Sequence, residues 1–259
     1  MPFKKRTLTT TIHDVANVFP VLLLTGPRQV GKTTVLEACA EPGRGYVSLD
    51  DLEQRALAIS DPALFLQTHV PPVIIDEIQY APELFGEIKI YVDKDKRPGL
   101  FWLTGSQKFH LMHSITETLA GRIAILDLMG LSQAEWNNRA NSSQPFLPTP
   151  QWIEQARSYA KFPMRLMDVY TQIWRGSFPK LLTSNDSLRD IFYNSYIQTY
   201  IQRDVRALTR VGDEMAFMTF LRVAAARTGQ LINYADMARN VDIDVKTVKS
   251  WLMSSLDLL

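Results

Sequence analysis

The chain has 259 residues, of which 46% are hydrophobic and 21% are charged, and its formal net charge is +1. This composition is typical of a globular protein, and the small net charge excludes a general electrostatic attraction to nucleic acid or acidic membranes. The single cysteine excludes an internal disulfide, the longest apolar run is too short to span a bilayer, and no signal-peptide segment follows the basic start. We therefore expect a cytoplasmic protein with no membrane partner.

The N-terminal segment leads into a short apolar run and a glycine-rich loop. Residues 1–10, with the basic run Lys4–Arg6, predict an extended and solvated tail, and residues 11–18 predict a short helix. The run Val21–Leu24 predicts a buried parallel strand. The segment GPRQVGKTT, which begins at Gly26, has the spacing G-x-x-x-x-G-K-T and precedes a helical pattern.

A loop of this spacing between a strand and a helix predicts a phosphate-binding site. Its backbone N–H groups can form an anion nest at the positive end of the helix, and its glycines allow a close approach that a Cβ would prevent. Lys32 is predicted to reach the β- and γ-phosphates of a nucleotide, and Thr33 is predicted to bind Mg²⁺. The candidate nucleotide-binding residues are Gly26, Pro27, Arg28, Gln29, Val30, Gly31, Lys32, Thr33 and Thr34.

Two adjacent carboxylates, Asp76 and Glu77, follow the β-branched run Val73–Ile75. This run predicts a buried strand, and ligands bind at the carboxyl ends of the strands in an open α/β sheet. Asp76 is therefore predicted to hold Mg²⁺ through a water, and Glu77 to orient and deprotonate an attacking water. Capping of a helix is the alternative explanation when such a pair stands alone.

The strand predicted at Gly99–Thr104 is followed by further polar residues. If this strand lies between the loop strand and the acidic strand, a hydroxyl at its end can contact the γ-phosphate, and Ser106 and then Thr104 are the candidates for this catalytic role. A hydroxyl that only closes a turn is the alternative. His110 and His113 have no third ligand near them in sequence, so we expect no metal site there.

Arg122 precedes a fifth predicted strand, Ile123–Leu128. It is predicted to supply positive charge to the transferring phosphoryl group, either in cis or from the neighbouring subunit of a homo-oligomer. A surface salt bridge is the alternative role.

Five predicted strands, with helices between most of them, indicate an α/β fold in which a parallel sheet carries helices on both faces. A polar and proline-rich segment then marks the end of this core. We predict a nucleotide-binding core over residues 1–136, a linker over 137–150, an all-α connector or lid over 151–212, and a helix-turn-helix unit over 213–259.

The C-terminal part contains two candidate surfaces for a partner. The third helix of the helix-turn-helix unit is predicted to expose to a DNA groove the residues Lys246, Thr247, Lys249 and Ser250. An aromatic and basic stripe that can bind nucleic acid consists of Tyr196, Tyr200, Arg203 and Arg206. Protein contact or a lid is the alternative for the first surface, and ordinary packing with extended arginines is the alternative for the second.

Four segments of the core, GPRQVGKTT, VIIDEIQ, LTGSQ and LAGR, resemble a large prokaryotic family of AAA-type ATP-binding proteins. The later segments GSFPKLL, YIQRDV and RTGQLINYADMARNVDIDVKTVKSWL resemble the C-terminal part of that family, a domain of unknown function. The resemblance covers essentially the whole chain and implies a P-loop NTPase core of the AAA/ASCE type that binds ATP and Mg²⁺, followed by helices and a winged-helix-like unit. It also implies a wing beyond the helix around Trp251, and since the sequence ends at Leu259 we expect this unit to be truncated.

Two functions are therefore open. The first is a Mg²⁺-dependent ATPase that hydrolyses ATP to ADP and phosphate and couples this reaction to motion of the C-terminal helices. The second is a nucleotide-gated module that binds DNA or protein with slow or no turnover. A phosphotransferase is disfavoured by the pair Asp76-Glu77, and a GTPase is disfavoured because no N-K-x-D segment is present.

Overall fold

The computed structural model describes residues 3–106, 115, 118–142, 147–159, 164–182, 186–200 and 214–256. Several residues named above lie outside this part of the chain, namely His110, His113, Arg203, Arg206 and Leu259.

The described residues form an α/β core followed by helices. The strands are β1 Val21–Thr25, β2 Gly45–Ser48, β3 Val73–Asp76, β4 Phe101–Thr104 and β5 Ile123–Asp127. The helices are α1 Leu8–Ala16, α2 Lys32–Cys39, α3 Leu52–Ser60, α4 Pro62–Thr68, α5 Leu84–Lys94, α6 Gln133–Trp136, α7 Pro150–Tyr159, α8 Leu166–Arg175, α9 Arg189–Tyr200, α10 Glu214–Ala226, α11 Tyr234–Val241 and α12 Val245–Leu256. Short 3₁₀ helices span Ile78–Tyr80, Ala140–Ser142, Pro179–Leu182 and Asp186–Leu188.

Within the described residues the five strands form one parallel sheet in the order β2-β3-β4-β1-β5. The predicted fold class is confirmed, and so is the predicted position of β4 between β1 and β3. This order brings the glycine-rich loop after β1, the polar end of β4 and the carboxylates after β3 to one edge of the sheet. All the residues of β1, β3 and β4 are buried, as expected for parallel strands with helices on both faces.

Alternate residues of each strand pack on opposite faces of the sheet. Val21 and Leu23 belong to a core that includes α5, whereas Leu22 and Leu24 belong to a second core that includes α1 and α2. The sheet therefore lies between two apolar layers.

The prediction of a solvated N-terminal tail is wrong. Helix α1 begins at Leu8, and the Arg6 side chain before it is only 4% exposed. Its guanidinium forms an ion pair of 3.1 Å with Glu135 and donates a hydrogen bond of 2.9 Å to the backbone oxygen of Val30. A guanidinium offers five donors in a fixed fork, so one side chain satisfies several buried acceptors and ties the tail to the loop after β1.

The C-terminal helices α10, α11 and α12 lie within the predicted helix-turn-helix unit and surround an apolar cluster of their own. Its buried residues are Phe217, Phe220, Met237, Ala238, Val241, Val248 and Trp251. The side chains of Lys246, Lys249 and Ser250 are exposed on α12, as predicted for a recognition helix, whereas that of Thr247 is half-buried. In the part of the chain that the structure describes, no helix combines the length and the apolar character needed to cross a membrane.

The predicted linker contains more structure than its composition suggests. A 3₁₀ helix spans Ala140–Ser142 and α7 begins at Pro150, so helical structure starts inside residues 137–150. In the predicted helical connector, α8 ends at Arg175, directly before Gly176. The domain limits themselves remain predictions.

Candidate active site

The loop between β1 and α2 has the backbone that its two glycines predict. Gly26 has a φ of +135° and Gly31 a φ of +91°, and the non-glycine residue Gln29 also lies in the left-handed region, with a φ of 62°. A Cβ on Gly26 would lie 2.1 Å from the backbone oxygen of Leu128, so only glycine fits where the loop passes the chain after β5. The loop is thereby pressed against the sheet edge, and α2 begins directly at Lys32.

The Lys32 side chain folds back into the loop. It is buried, and its ammonium donates hydrogen bonds of 2.9 Å to the backbone oxygens of both Gly26 and Pro27. A cleft of about 410 Å³ opens beside it, lined by Arg28, Gln29, Gly31, Lys32, Thr33, Thr34, Glu77 and Thr199. Most of the predicted phosphate-binding residues therefore border one cavity, to which α9 contributes Thr199.

Asp76, at the end of β3, accepts hydrogen bonds from three hydroxyl groups. Thr33 donates to Oδ1 at 2.8 Å, Thr104 also donates to Oδ1, and Tyr46 donates to Oδ2 at 3.1 Å. The carboxylate is only 8% exposed. Partial burial of the Tyr46 phenol, together with the negative charge of Asp76, raises the pKa of Tyr46 to about 12. The predicted metal residues Thr33 and Asp76 are thus in direct contact.

Glu77 adopts a left-handed backbone, with a φ of 58°, which turns the chain out of β3 and into the 3₁₀ helix Ile78–Tyr80. Its backbone N–H donates a hydrogen bond of 3.0 Å to the hydroxyl of Thr104. One carboxylate oxygen, Oε2, accepts hydrogen bonds from the Gln79 amide and, at 3.4 Å, from the Ser106 hydroxyl. The structure therefore brings together Glu77, Ser106 and Thr104, as the strand order requires.

Two further residues, Gln79 and Tyr46, contribute to this site although none of the sequence motifs assigns them a role. Gln79 donates hydrogen bonds to Glu77 and, at 3.2 Å, to Ser106. The sequence signal for this contact is that Gln79 lies two residues after Glu77. Tyr46 contacts Asp76 across neighbouring strands, and no local pattern in the sequence indicates such a contact.

Arg122 lies at the opposite edge of the sheet from the glycine-rich loop. It immediately precedes β5, and its backbone oxygen accepts from the N–H of Val21 at the start of β1. A strand of five residues spans about 16 Å, so β5 separates Arg122 from the level of the cleft. The prediction that Arg122 acts at the cleft of its own chain is therefore wrong. The Arg122 side chain forms an ion pair of 2.6 Å with Asp93, which is the predicted alternative, and a role in a neighbouring subunit stays a prediction. Arg28, by contrast, lines the cleft.

Comparison with known protein families divides the chain into two parts. Residues 18–137 match the family model described as an AAA domain, and residues 167–254 match a model described as a domain of unknown function. Uncharacterized proteins of Mycobacterium bovis and Mycobacterium tuberculosis are 26% identical over 264 aligned residues that include the whole chain. The chain spans about half, 53%, of the length of these curated relatives.

Solved structures with similar folds include the Walker-type ATPase PABY2304 of Pyrococcus abyssi, with a TM-score of 0.49, 13% identity, and coverage of 94% of either chain. The RuvB Holliday junction branch migration motor of Thermotoga maritima has a TM-score of 0.42 and 16% identity, with coverage of 98% of this chain and 88% of the other. The two parts of the chain are assigned from the two family models and from the parallel sheet with its glycine-rich loop, and not from these solved structures. The chain therefore combines an AAA domain, over residues 18–137, with a C-terminal domain of unknown function, over residues 167–254.

Proposed function

We propose that this chain is a Mg²⁺-dependent ATPase that hydrolyses ATP to ADP and phosphate. The observation that carries this proposal is the placement of Asp76 and Glu77 beside the phosphate-binding loop, with Thr33 of the loop hydrogen-bonded to Asp76 at 2.8 Å. A phosphate-binding loop alone would support binding, whereas a second carboxylate that lines the cleft supports activation of water.

The oxygen donors at Asp76 fit Mg²⁺. The Thr33 hydroxyl donates its proton to Asp76, so its lone pairs are available to a cation, and Asp76 can accept a hydrogen bond from a metal-bound water. Hydroxyl and carboxylate oxygens are the hard ligands that Mg²⁺ prefers, and phosphates and waters complete such sites. Bound Mg²⁺ would neutralise charge on the phosphates.

Glu77 is the general base in this proposal. Its Oε2 is held by Gln79 and Ser106, which fixes the carboxylate at the cleft while Oε1 can accept a proton from water. Lys32 and Arg28 border the same cleft and would stabilise the negative charge of the phosphates.

A second cavity, of about 200 Å³, is suited to the adenine base. It shares Gly31 and Thr34 with the phosphate cleft, so the two cavities adjoin at the start of α2. Its apolar wall consists of Phe3, Val30, Val35, Leu131, Pro179 and Leu182. Apolar walls suit the faces of a purine, and Pro179 and Leu182 come from the helical region, so the base would contact both parts of the chain.

We further propose that the change from bound ATP to bound ADP is coupled to motion of the helical region predicted over residues 151–212, which would act as a lid over the cleft. Thr199 of α9 borders the phosphate cleft, and Pro179 and Leu182 border the base cavity. We expect a change at the phosphates to act through these residues, which lie before the C-terminal unit in sequence.

The test of hydrolysis is the substitution Glu77→Gln. It removes the general base but keeps the size of the side chain, so turnover should fall at least about a hundredfold while ATP affinity is retained. Phosphate release and equilibrium binding of a labelled ATP measure the two properties separately. Glu83→Gln, at an exposed glutamate just before α5, is the matched control. A wild-type rate in Glu77→Gln would remove Glu77 from the mechanism.

The alternative, a nucleotide-gated module that binds DNA or protein, is favoured by the exposed lysines Lys246 and Lys249 on α12. Exposed Asp242 and Asp244 lie beside them and reduce the local positive charge. Binding to duplex DNA that weakens steeply with salt and is lost when both lysines are replaced by alanine would support this alternative. Absence of binding at low salt would leave a protein partner.

A further inference from the structure

Tyr46 reaches Asp76 from the neighbouring edge strand. Tyr46 pairs with Ile74 in the register of β2 and β3, so it lies two positions before Asp76 on the same face of the sheet. Its hydroxyl donates a hydrogen bond of 3.1 Å to Oδ2 of Asp76. The side chain is 47% exposed, so burial of the ring does not account for the placement of its hydroxyl.

The three hydroxyl donors contact different oxygens of the Asp76 carboxylate. Thr33 and Thr104 both donate to Oδ1, which leaves Oδ2 as the oxygen with a remaining lone pair. A carboxylate oxygen has two acceptor positions, and Tyr46 occupies one of those on Oδ2. The hydroxyl of Tyr46 therefore fixes the direction in which the last acceptor position of Asp76 points.

We propose that Tyr46 is a positioning residue for Mg²⁺ binding. Its hydroxyl holds the plane of the Asp76 carboxylate so that Oδ2 can accept a hydrogen bond from a metal-bound water. This inference rests on the proposed function, since it requires that Thr33 and Asp76 hold the metal with a bound nucleotide. Partners that orient metal-binding groups without touching the metal typically change metal affinity about 10- to 100-fold when they are removed.

The test is a Mg²⁺ titration of nucleotide binding, carried out in a Glu77→Gln background to prevent hydrolysis. A fluorescent ATP analogue is bound first without metal and then with increasing Mg²⁺. In Tyr46→Phe, which keeps the ring, the affinity without metal should be unchanged, and half of the Mg²⁺ effect should require about tenfold more Mg²⁺. Tyr91→Phe is the matched control, because Tyr91 packs on Phe101 at the opposite face of the sheet, with ring centroids 5.4 Å apart.

The possible results separate this inference from the proposed function. If Mg²⁺ tightens binding in the Glu77→Gln protein and Tyr46→Phe gives the same titration, the role of Tyr46 is wrong and the metal site stands. An equal loss of affinity with and without metal would also overturn the inference, since Tyr46 would then support the loop rather than the metal. If Mg²⁺ has no effect on the Glu77→Gln protein, both the metal site and the role of Tyr46 fail.

Discussion

Thr104 connects the two carboxylates of the site. Its side chain is fully buried, it donates to Asp76, and it accepts a hydrogen bond of 3.0 Å from the backbone N–H of Glu77. One hydroxyl thus sets both the carboxylate proposed to hold the metal and the backbone that carries the proposed general base. The sequence favours Ser106 over Thr104 for contact with the γ-phosphate, but the contacts give Thr104 the more central position.

Thr104→Val should therefore lower both stability and turnover. Valine has the same shape but no hydroxyl, so Asp76 loses a donor and the amide of Glu77 loses its acceptor. The free energy of unfolding should fall by about 1–3 kcal/mol, the cost of leaving such groups unpaired. Denaturant unfolding and steady-state hydrolysis measure the two effects. Thr104→Ser keeps the hydroxyl and should retain most of both, and an equal loss in the two variants would contradict this role.

The residues that could be predicted from the sequence are those whose chemistry is encoded by local spacing. Lys32, Thr33 and the pair Asp76-Glu77 belong to short motifs, and the sheet order then brings the motifs together. Arg6 could not be predicted, because its ion-pair partner, Glu135, is far away in the sequence and an arginine in a basic run looks like solvated surface. The same applies to Tyr46.

Arg122 shows the converse error. A positive residue next to a core strand suggests proximity to the phosphates, but the direction of the strand determines at which end of the sheet the residue lies. Arg122 precedes β5, and the amino end of a parallel strand lies at the edge opposite the ligand site.

At the scale of elements, the turn between α8 and α9 joins the helical region to the nucleotide core. The N–H of Leu131 donates a hydrogen bond of 2.7 Å to the backbone oxygen of Ser177, and Phe178 packs against the core beside α1 and α2. Phe178 also contacts the ring of Tyr196 on α9, with centroids 4.9 Å apart. This turn is therefore the physical link on which the proposed coupling depends.

Gly176 makes this turn possible. Its φ of 82° and ψ of −162° belong to a region that only glycine occupies readily, and an added Cβ would lie 1.9 Å from the hydroxyl of Tyr193. That hydroxyl donates a hydrogen bond of 2.9 Å to the backbone oxygen of Arg175. The backbone and the neighbouring side chain thus both exclude a larger residue.

Gly176→Ala should destabilise the link by about 1–3 kcal/mol, the cost of a strained backbone, with a further loss where Tyr193 must move. Gly229→Ala is the matched control, since Gly229 also has a positive φ, +78°, but no heavy atom within 4 Å of an added Cβ. Thermal unfolding of the two variants isolates the steric part of the effect. Equal melting temperatures would show that the packing of Tyr193 at Gly176 does not matter.

At the scale of the whole molecule, the two edges of the sheet differ in the charges that they offer. The carboxyl edge brings Lys32 and Arg28 to the cleft beside Glu77, all from one chain. The amino edge carries Arg122 in an exposed ion pair with Asp93. Hydrolysis within a single chain would use Lys32 and Arg28. In a homo-oligomer with an arginine supplied in trans, Arg122 would instead act at the cleft of a neighbouring subunit.

We expect hydrolysis per subunit to be independent of protein concentration, because Arg28 can supply the positive charge in cis. Arg28→Ala should then lower kcat by about a thousandfold, the scale of a lost arginine at a transferring phosphoryl group. Arg122→Ala should leave kcat unchanged, as should the control Arg97→Ala, since Arg97 also forms an exposed ion pair, with Asp95. Turnover measured over a wide range of protein concentrations decides the matter. A rate per subunit that rises with concentration and is lost in Arg122→Ala would instead assign the arginine to a neighbouring subunit.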